Sequence, residues 1–142
     1  MIVLDTTVLS YADGGEHPLR EPCRRLIQAH ADGRITAATT LEVIQEFAHV
    51  RAHRRSRANA VALARRAMTT FDLVPMLIED LDLGLALFET LPRLGAFDCV
   101  LAAVALNRRA EALVSADRAF GDVPGLAWVD PATPALESLI SG

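Results

Sequence analysis

The sequence predicts an α/β fold, a three-layer α/β/α sandwich around a central, mainly parallel five-stranded sheet. Three observations predict it. Short runs rich in β-branched residues alternate with longer segments whose apolar residues recur at helical spacing, the order that parallel strands joined by right-handed crossovers require. The short runs are apolar throughout rather than alternating with polar residues, as strands covered on both faces are. Apolar residues make up 51% of the 142 residues, enough for a single domain over 1–142 with a core of its own.

Ile2–Leu4 opens as a strand that stops at Asp5, and Thr7–Ala12 reads as a short helical turn closed by Asp13-Gly14-Gly15. From Pro18 to Ala31 apolar residues recur at helical spacing (Leu19, Cys23, Leu26, Ile27) until Asp32-Gly33 ends the pattern. Ile35–Thr39 is strand-like. It runs into Thr40–His53, where Val43, Ile44, Phe47 and Val50 fit a helix capped by Thr40. Ser56–Thr70 is a second, basic helix capped by Ser56, followed by a strand at Phe71–Val74 and a break at Pro75. Ile78–Leu91 is helical up to Pro92. Phe97–Arg109 is helical and largely apolar, as a helix packed on a sheet should be. Ala112–Ser115 and Leu126–Val129 complete the strands.

Composition narrows the functional classes. Asp5 interrupts the first apolar run and no basic stretch precedes it, so the N-terminus does not read as a secretory signal. No stretch approaches the roughly 18 unbroken apolar residues of a membrane span. A cytoplasmic protein without membrane contact is expected. Cys23 and Cys99 sit alone in apolar helical patterns, which makes them buried thiols rather than a disulfide. The net charge of −4 hides an asymmetry: His49–Arg66 holds six arginines and no acid. The remaining eight arginines face all 18 acids, a net −10. Lysine is absent, and arginine forks onto phosphate and stacks on bases as lysine cannot.

Four carboxylates stand where such a sheet would gather them. Asp5 follows the first strand directly, and Asp117 ends Leu113-Val114-Ser115-Ala116-Asp117. Ligand sites of open α/β sheets lie beyond the carboxyl ends of the strands. Glu46 falls about two turns into the helix after the second strand, and Asp98, after Gly95-Ala96-Phe97, begins the helix before the fourth. A lone acid at a helix start is usually there for the dipole or for water. Several acids in one place raise one another's pKa unless a cation compensates. Mg²⁺ or Mn²⁺, with its preference for hard oxygen ligands, supplies that compensation and can activate water for in-line displacement at phosphorus.

The motifs resemble those of PIN-domain ribonucleases, and more closely VapC-type toxins of type II toxin–antitoxin pairs. The resemblance runs through Ile2-Val3-Leu4-Asp5-Thr6, Val43-Ile44-Gln45-Glu46-Phe47, Phe97-Asp98-Cys99-Val100-Leu101-Ala102-Ala103 and Val114-Ser115-Ala116-Asp117-Arg118-Ala119-Phe120, in that order. It implies that Asp5, Glu46, Asp98 and Asp117 are the catalytic, metal-holding acids, with Thr6 and Ser115 supporting them through their hydroxyls. The family often has Asn or Ser where this chain has Thr7, so Thr7 is left outside the site. It also implies a Mg²⁺- or Mn²⁺-dependent endoribonuclease with a metal-activated water as nucleophile. Such an enzyme inhibits translation when freed from a VapB-type antitoxin, and it forms a homodimer through helices. Leu41, Ile44 and Phe47 could supply apolar surface for either contact, or pack in the core.

Several residues compete with this reading. Glu42 lies one helical turn from Glu46, but the family places its glutamate six residues after a Ser or Thr near the strand end, as Thr40 to Glu46 does. Glu79, Asp80 and Asp82 form an acidic first turn without a matching motif. Glu46-Phe47-Ala48-His49 is a Glu-x-x-His unit, yet di-iron bundles need it on two helices, and it occurs once. No nucleophile elbow surrounds Ser115.

An acidic pocket does not attract a polyanion, so the basic block has to draw the RNA. Arg51, Arg54, Arg55 and Arg57 are the expected contacts, with Arg93 in the loop before Asp98. Two other readings stay open: a metal-dependent nuclease or phosphoesterase acting on DNA or small phosphoesters, and an RNA-binding PIN module that does not cut.

Overall fold

A computed structural model describes Met1–Gly142. Five strands, β1 (Ile2–Leu4), β2 (Ala37–Thr40), β3 (Asp72–Val74), β4 (Ala112–Val114) and β5 (Trp128–Val129), form one sheet in the order β3-β2-β1-β4-β5. Every pairing is parallel. Every residue of β1, β2 and β4 is buried, so the apolar runs are strands covered on both faces. The edge strand β3 instead exposes Asp72 and Leu73, and a charge on a sheet edge discourages pairing with another chain.

Seven helices flank the sheet: α1 (Thr6–Ala12), α2 (Arg20–Ala31), α3 (Leu41–Arg54), α4 (Arg57–Thr70), α5 (Ile78–Thr90), α6 (Ala96–Asn107) and α7 (Pro134–Ser141). A 3₁₀ turn occupies Arg118–Asp122. The capping residues act as expected: Thr40 Oγ1 accepts from Val43 N–H and Ser56 Oγ from Asn59 N–H. No helix is long and apolar enough to cross a membrane.

The structure moves several boundaries. The second strand is Ala37–Thr40 rather than Ile35–Thr39; the β1–β2 register pairs Ile2 with Ala37 and Val3 with Ala38. The first helix starts at Thr6, because Asp5 caps it. Helix α7 is an element beyond those expected. Ile44 and Phe47 are core residues, and only Leu41 of that trio is exposed. Both cysteines are free and buried, and burial pushes the Cys23 thiol up to about 12.

Asp80 is the largest departure from expectation. It is fully buried and paired, not merely one acid of an acidic first turn. Arg108, at the end of α6, forks onto it with two 2.8 Å bonds, Asn107 Nδ2 adds a third, and Leu77 N–H donates to Oδ2. Burial pushes its carboxyl up, but these donors, Arg108 foremost, outweigh that and hold it below the usual range. The pair ties the start of α5 to the end of α6. Between those ends the helices touch closely at Gly84, where a Cβ would lie 2.7 Å from Val100 Cα.

Candidate active site

The sheet register builds the site. Leu4 pairs with Val114, so the residues that follow, Asp5 and Ser115, emerge side by side at the carboxyl edge. Asp5 N–H still donates to Val114 O at 3.1 Å, and Thr39 Oγ1 on β2 donates to Leu4 O at 2.9 Å. The Asp5 backbone is therefore held from both neighbouring strands.

Asp5 is 4% exposed, and its Oδ2 is heavily solvated by the protein. It accepts from Ser115 Oγ at 2.7 Å, Thr7 Oγ1 at 3.0 Å and Thr7 N–H at 3.4 Å. Three donors on one oxygen fix the orientation of the carboxylate. Oδ1 receives no protein donor and is not sealed from solvent. One oxygen is anchored and the other is open.

Ser115 and Thr7 extend the network to the fourth acid. Ser115 Oγ accepts from Asp117 N–H at 3.0 Å, and Thr7 Oγ1 accepts from Ala116 N–H at 3.0 Å. Asp117 Oδ1 caps the 3₁₀ turn through Ala119 N–H at 2.9 Å. Thr7 thus belongs inside the site, contrary to expectation, since its hydroxyl orients Asp5 and the Asp117 loop together. Its position two residues past Asp5, at the first turn of a capped helix, is the signal the sequence offers for it.

Thr6 Oγ1 donates to Glu46 Oε2 at 2.9 Å, across 40 residues. That bond brings Glu46 of α3 to the start of α1, beside Asp5, and leaves Glu42 one turn away from the pairing. Asp98, in the first turn of α6, is partly buried. Its carboxyl is pushed up to about 7 by burial first and then by Asp5, Glu46 and Asp117. Asp5, Glu46 and Asp117 are therefore each within electrostatic reach of Asp98. Cys99, next along, is also raised, by burial and then by Asp98.

Aspartates and a glutamate with open oxygens are the donor set of a hard divalent cation. No three of these side chains are gathered into a ready-made cage. Mg²⁺ does not require one, since it keeps several waters and binds through one or two carboxylates. The repulsion that, after burial, raises the Asp98 carboxyl is what such a cation would relieve.

Ancestry agrees with this architecture, for the PIN domain family model matches residues 2–126. The chain belongs to the PIN-domain family. This PIN domain is 55% identical over 142 residues, 99% of its length and 98% of the other's, to Ribonuclease VapC7 of Mycobacterium tuberculosis H37Rv, which places it with the VapC group. Two solved structures share the fold. VapC20 of Mycobacterium tuberculosis, described as a sarcin–ricin loop cleaving toxin, matches with a TM-score of 0.72 at 15% identity over 85% of this chain and 93% of that one. VapBC2 of Rickettsia felis, bound to a DNA fragment from its promoter, matches with a TM-score of 0.72 at 17% identity over 92% and 98%.

The basic block of this PIN domain spans the end of α3, the turn after it and most of α4. Arg54, Arg55 and Arg57, at the α3–α4 turn, are exposed. Arg54 is eight residues beyond Glu46 on the same helix, about 12 Å along its axis at the ordinary helical rise. Arg51 is half-buried, with Nε donating to Asn59 Oδ1 at 2.7 Å. Arg93 is not a free cation: it forks onto Asp122 at 2.7 and 3.0 Å. Its guanidinium is held above the ordinary value by Asp122 and, more weakly, by Asp117.

Beside Glu46 and Asp98 a cavity of about 670 Å³ opens between α3, α5 and α6. Phe97, the residue before Asp98, lines it and is 83% exposed.

Proposed function

We propose that this PIN domain is a Mg²⁺- or Mn²⁺-dependent endoribonuclease, the toxin of a type II toxin–antitoxin pair, which inhibits translation by cutting RNA. The observation that carries the reading is the gathering of Asp5, Glu46 and Asp117 around Asp98, close enough that they and burial push its carboxyl to about 7. Strongly perturbed acids in a cleft favour a chemical role over a structural one. The ribonuclease name of a relative 55% identical along the whole chain supports RNA as substrate.

Asp5, Asp98, Glu46 and Asp117 would hold the cation. A bound Mg²⁺ or Mn²⁺ supplies polarisation of the phosphodiester, neutralisation of charge developing on phosphorus and a lower pKa for the attacking water. Ser115 and Thr7 orient Asp5 through Oδ2 and leave Oδ1 free toward the ion. Thr6 orients Glu46. Asp98, its carboxyl raised to about 7 by burial and then by the three other acids, ionises more readily once positive charge arrives. Arg54, Arg55 and Arg57 draw the RNA backbone toward the acidic centre, with Arg51 behind them. Arg93 contributes less, because Asp122 occupies it.

Protein partners belong to the same reading: a VapB-type antitoxin, supported by the toxin–antitoxin assemblies that share this fold, and a second copy of the chain. Exposed apolar side chains on and before α5, Leu77, Ile78 and Phe88, supply surface for protein contact.

Incubating the purified protein with a pool of structured RNA tests the proposal. Cleavage in Mn²⁺, its loss in EDTA and its loss in Asp5→Asn are expected. Cleavage that survives both EDTA and the Asp5 change rules out the metal mechanism, and cleavage of DNA in preference to RNA rules out the substrate.

A further inference from the structure

The cavity beside Asp98 has two unlike walls. Along α3, Glu42, Gln45, Glu46 and His49 face it at positions i, i+3, i+4 and i+7, a polar stripe on one side of one helix. Across from them, α6 and α5 present Phe97, Val100, Val104 and Leu85, all apolar. Phe97 stands at this site almost fully in water, whereas Phe47 and Phe120 fill the core. An aromatic ring left in solvent beside a charged centre loses the free energy that burial would give it, unless a ligand covers it.

Charge limits what that ligand is. The lining holds Glu42, Glu46 and Asp98 and no arginine, so a phosphate is repelled from it. The two walls call for a flat, uncharged group with an apolar face and a hydrogen-bonding edge. A nucleobase has both, and unpaired RNA bases are bound by stacking on aromatic rings with their edges read by polar side chains. A volume of about 670 Å³ lies within the range of small-ligand sites.

Resting on the ribonuclease reading, we propose that this cavity receives one unstacked base next to the phosphodiester that is cut. Phe97 stacks on its face, and Glu42 and Gln45 read its edge. A carboxylate accepts hydrogen bonds and donates none. The edge that pairs best with Glu42 carries two adjacent donors, and among the four bases that is guanine, through N1–H and the N2 amino group. The cavity therefore selects guanine beside the cut.

Two measurements on the full-length protein test this. Guanosine and uridine, which carry no phosphate, are titrated in EDTA, and RNA cut in Mn²⁺ is mapped by fragment ends for wild type, Phe97→Ala and Glu42→Gln. Guanosine should bind more tightly than uridine. Phe97→Ala should weaken both nucleosides and lower kcat/KM about tenfold or more, with Mn²⁺ affinity unchanged. Glu42→Gln should erase the preference for guanine at the cut. Wild-type rates and cut positions in both variants would overturn the proposal. So would a Phe97→Ala protein that changes from dimer to monomer at an unchanged rate per site, since Phe97 would then be cover for a second copy. Phe97-dependent guanosine binding by a wild-type protein that cuts no RNA would retain the pocket and remove the ribonuclease reading.

Discussion

Ser115 Oγ donates a 2.7 Å hydrogen bond to Asp5 Oδ2 across the seam between β4 and β1, and the same oxygen accepts from Asp117 N–H. One buried hydroxyl thus sets the orientation of one acid and the backbone of another. Ser115→Ala removes a donor to a buried charge and leaves the Asp117 amide without its acceptor. A loss of about 1–3 kcal/mol of stability is expected, together with weaker Mn²⁺ binding. Urea unfolding and a Mn²⁺ titration check the two effects.

Asp98 gives the cation-free protein an unusual pH dependence. Its carboxyl is raised to about 7 in the folded chain from an ordinary value of 3.8, so between those values the folded state holds a proton that the unfolded state has lost. Stability from this group is fully present below about pH 4 and is lost as pH rises through about 7. Discounted for Asp98's partial exposure, the loss is about 2 kcal/mol, or roughly 4–8 °C in Tm. Thermal unfolding in EDTA at pH 5 and pH 8 measures it. Asp98→Asn should flatten the profile and raise Tm at pH 8 while abolishing cleavage.

The Asp80–Arg108 pair has the opposite sign. Asp80 is held below its ordinary value, so its contribution is present above that value and lost as pH falls through the lowered one. Arg108→Ala strands a fully buried carboxylate and should cost about 2–4 kcal/mol at pH 7, discounted because Arg108 itself is partly exposed. Denaturant unfolding should show that deficit shrinking in acid. A deficit that persists unchanged at pH 3 would assign the effect to lost packing.

The exposed arginines predict a salt effect rather than a change in chemistry. Replacing Arg54, Arg55 and Arg57 by alanine should reduce the slope of log affinity against log salt by about 2, at roughly 0.7 for each single-strand phosphate no longer neutralised. Mn²⁺ affinity should not change. Arg93→Ala should move the slope less, because its guanidinium already faces Asp122.

What is legible in the sequence and what is not divides along contact range. β1, β2 and β4 stand out as apolar runs because a strand buried on both faces has to be apolar. Asp5, Asp98 and Asp117 are visible because each borders such a run or opens a helix. Only part of the role of Thr7 is visible: its place two residues past Asp5 marks its bonds to that acid, but its other partner, Ala116 N–H, lies 109 residues away and is brought close only by the β1–β4 register. The Asp80–Arg108 fork and the Arg93–Asp122 pair are hidden for the same reason, since acids and arginines look alike in sequence whether paired or solvated. Helix α7 is different, because its signals are local. Pro134 at the first turn and Leu136, Leu139 and Ile140 at helical spacing mark it.

Direct Mn²⁺ binding tests, without any substrate, whether the gathered carboxylates hold a cation. A titration of wild type, Asp5→Asn and Asp98→Asn at pH 6 and pH 8 should show wild-type affinity rising with pH as Asp98 gives up its proton. Both variants should bind far more weakly. Wild-type affinity that is independent of pH and unaltered in Asp5→Asn would contradict it.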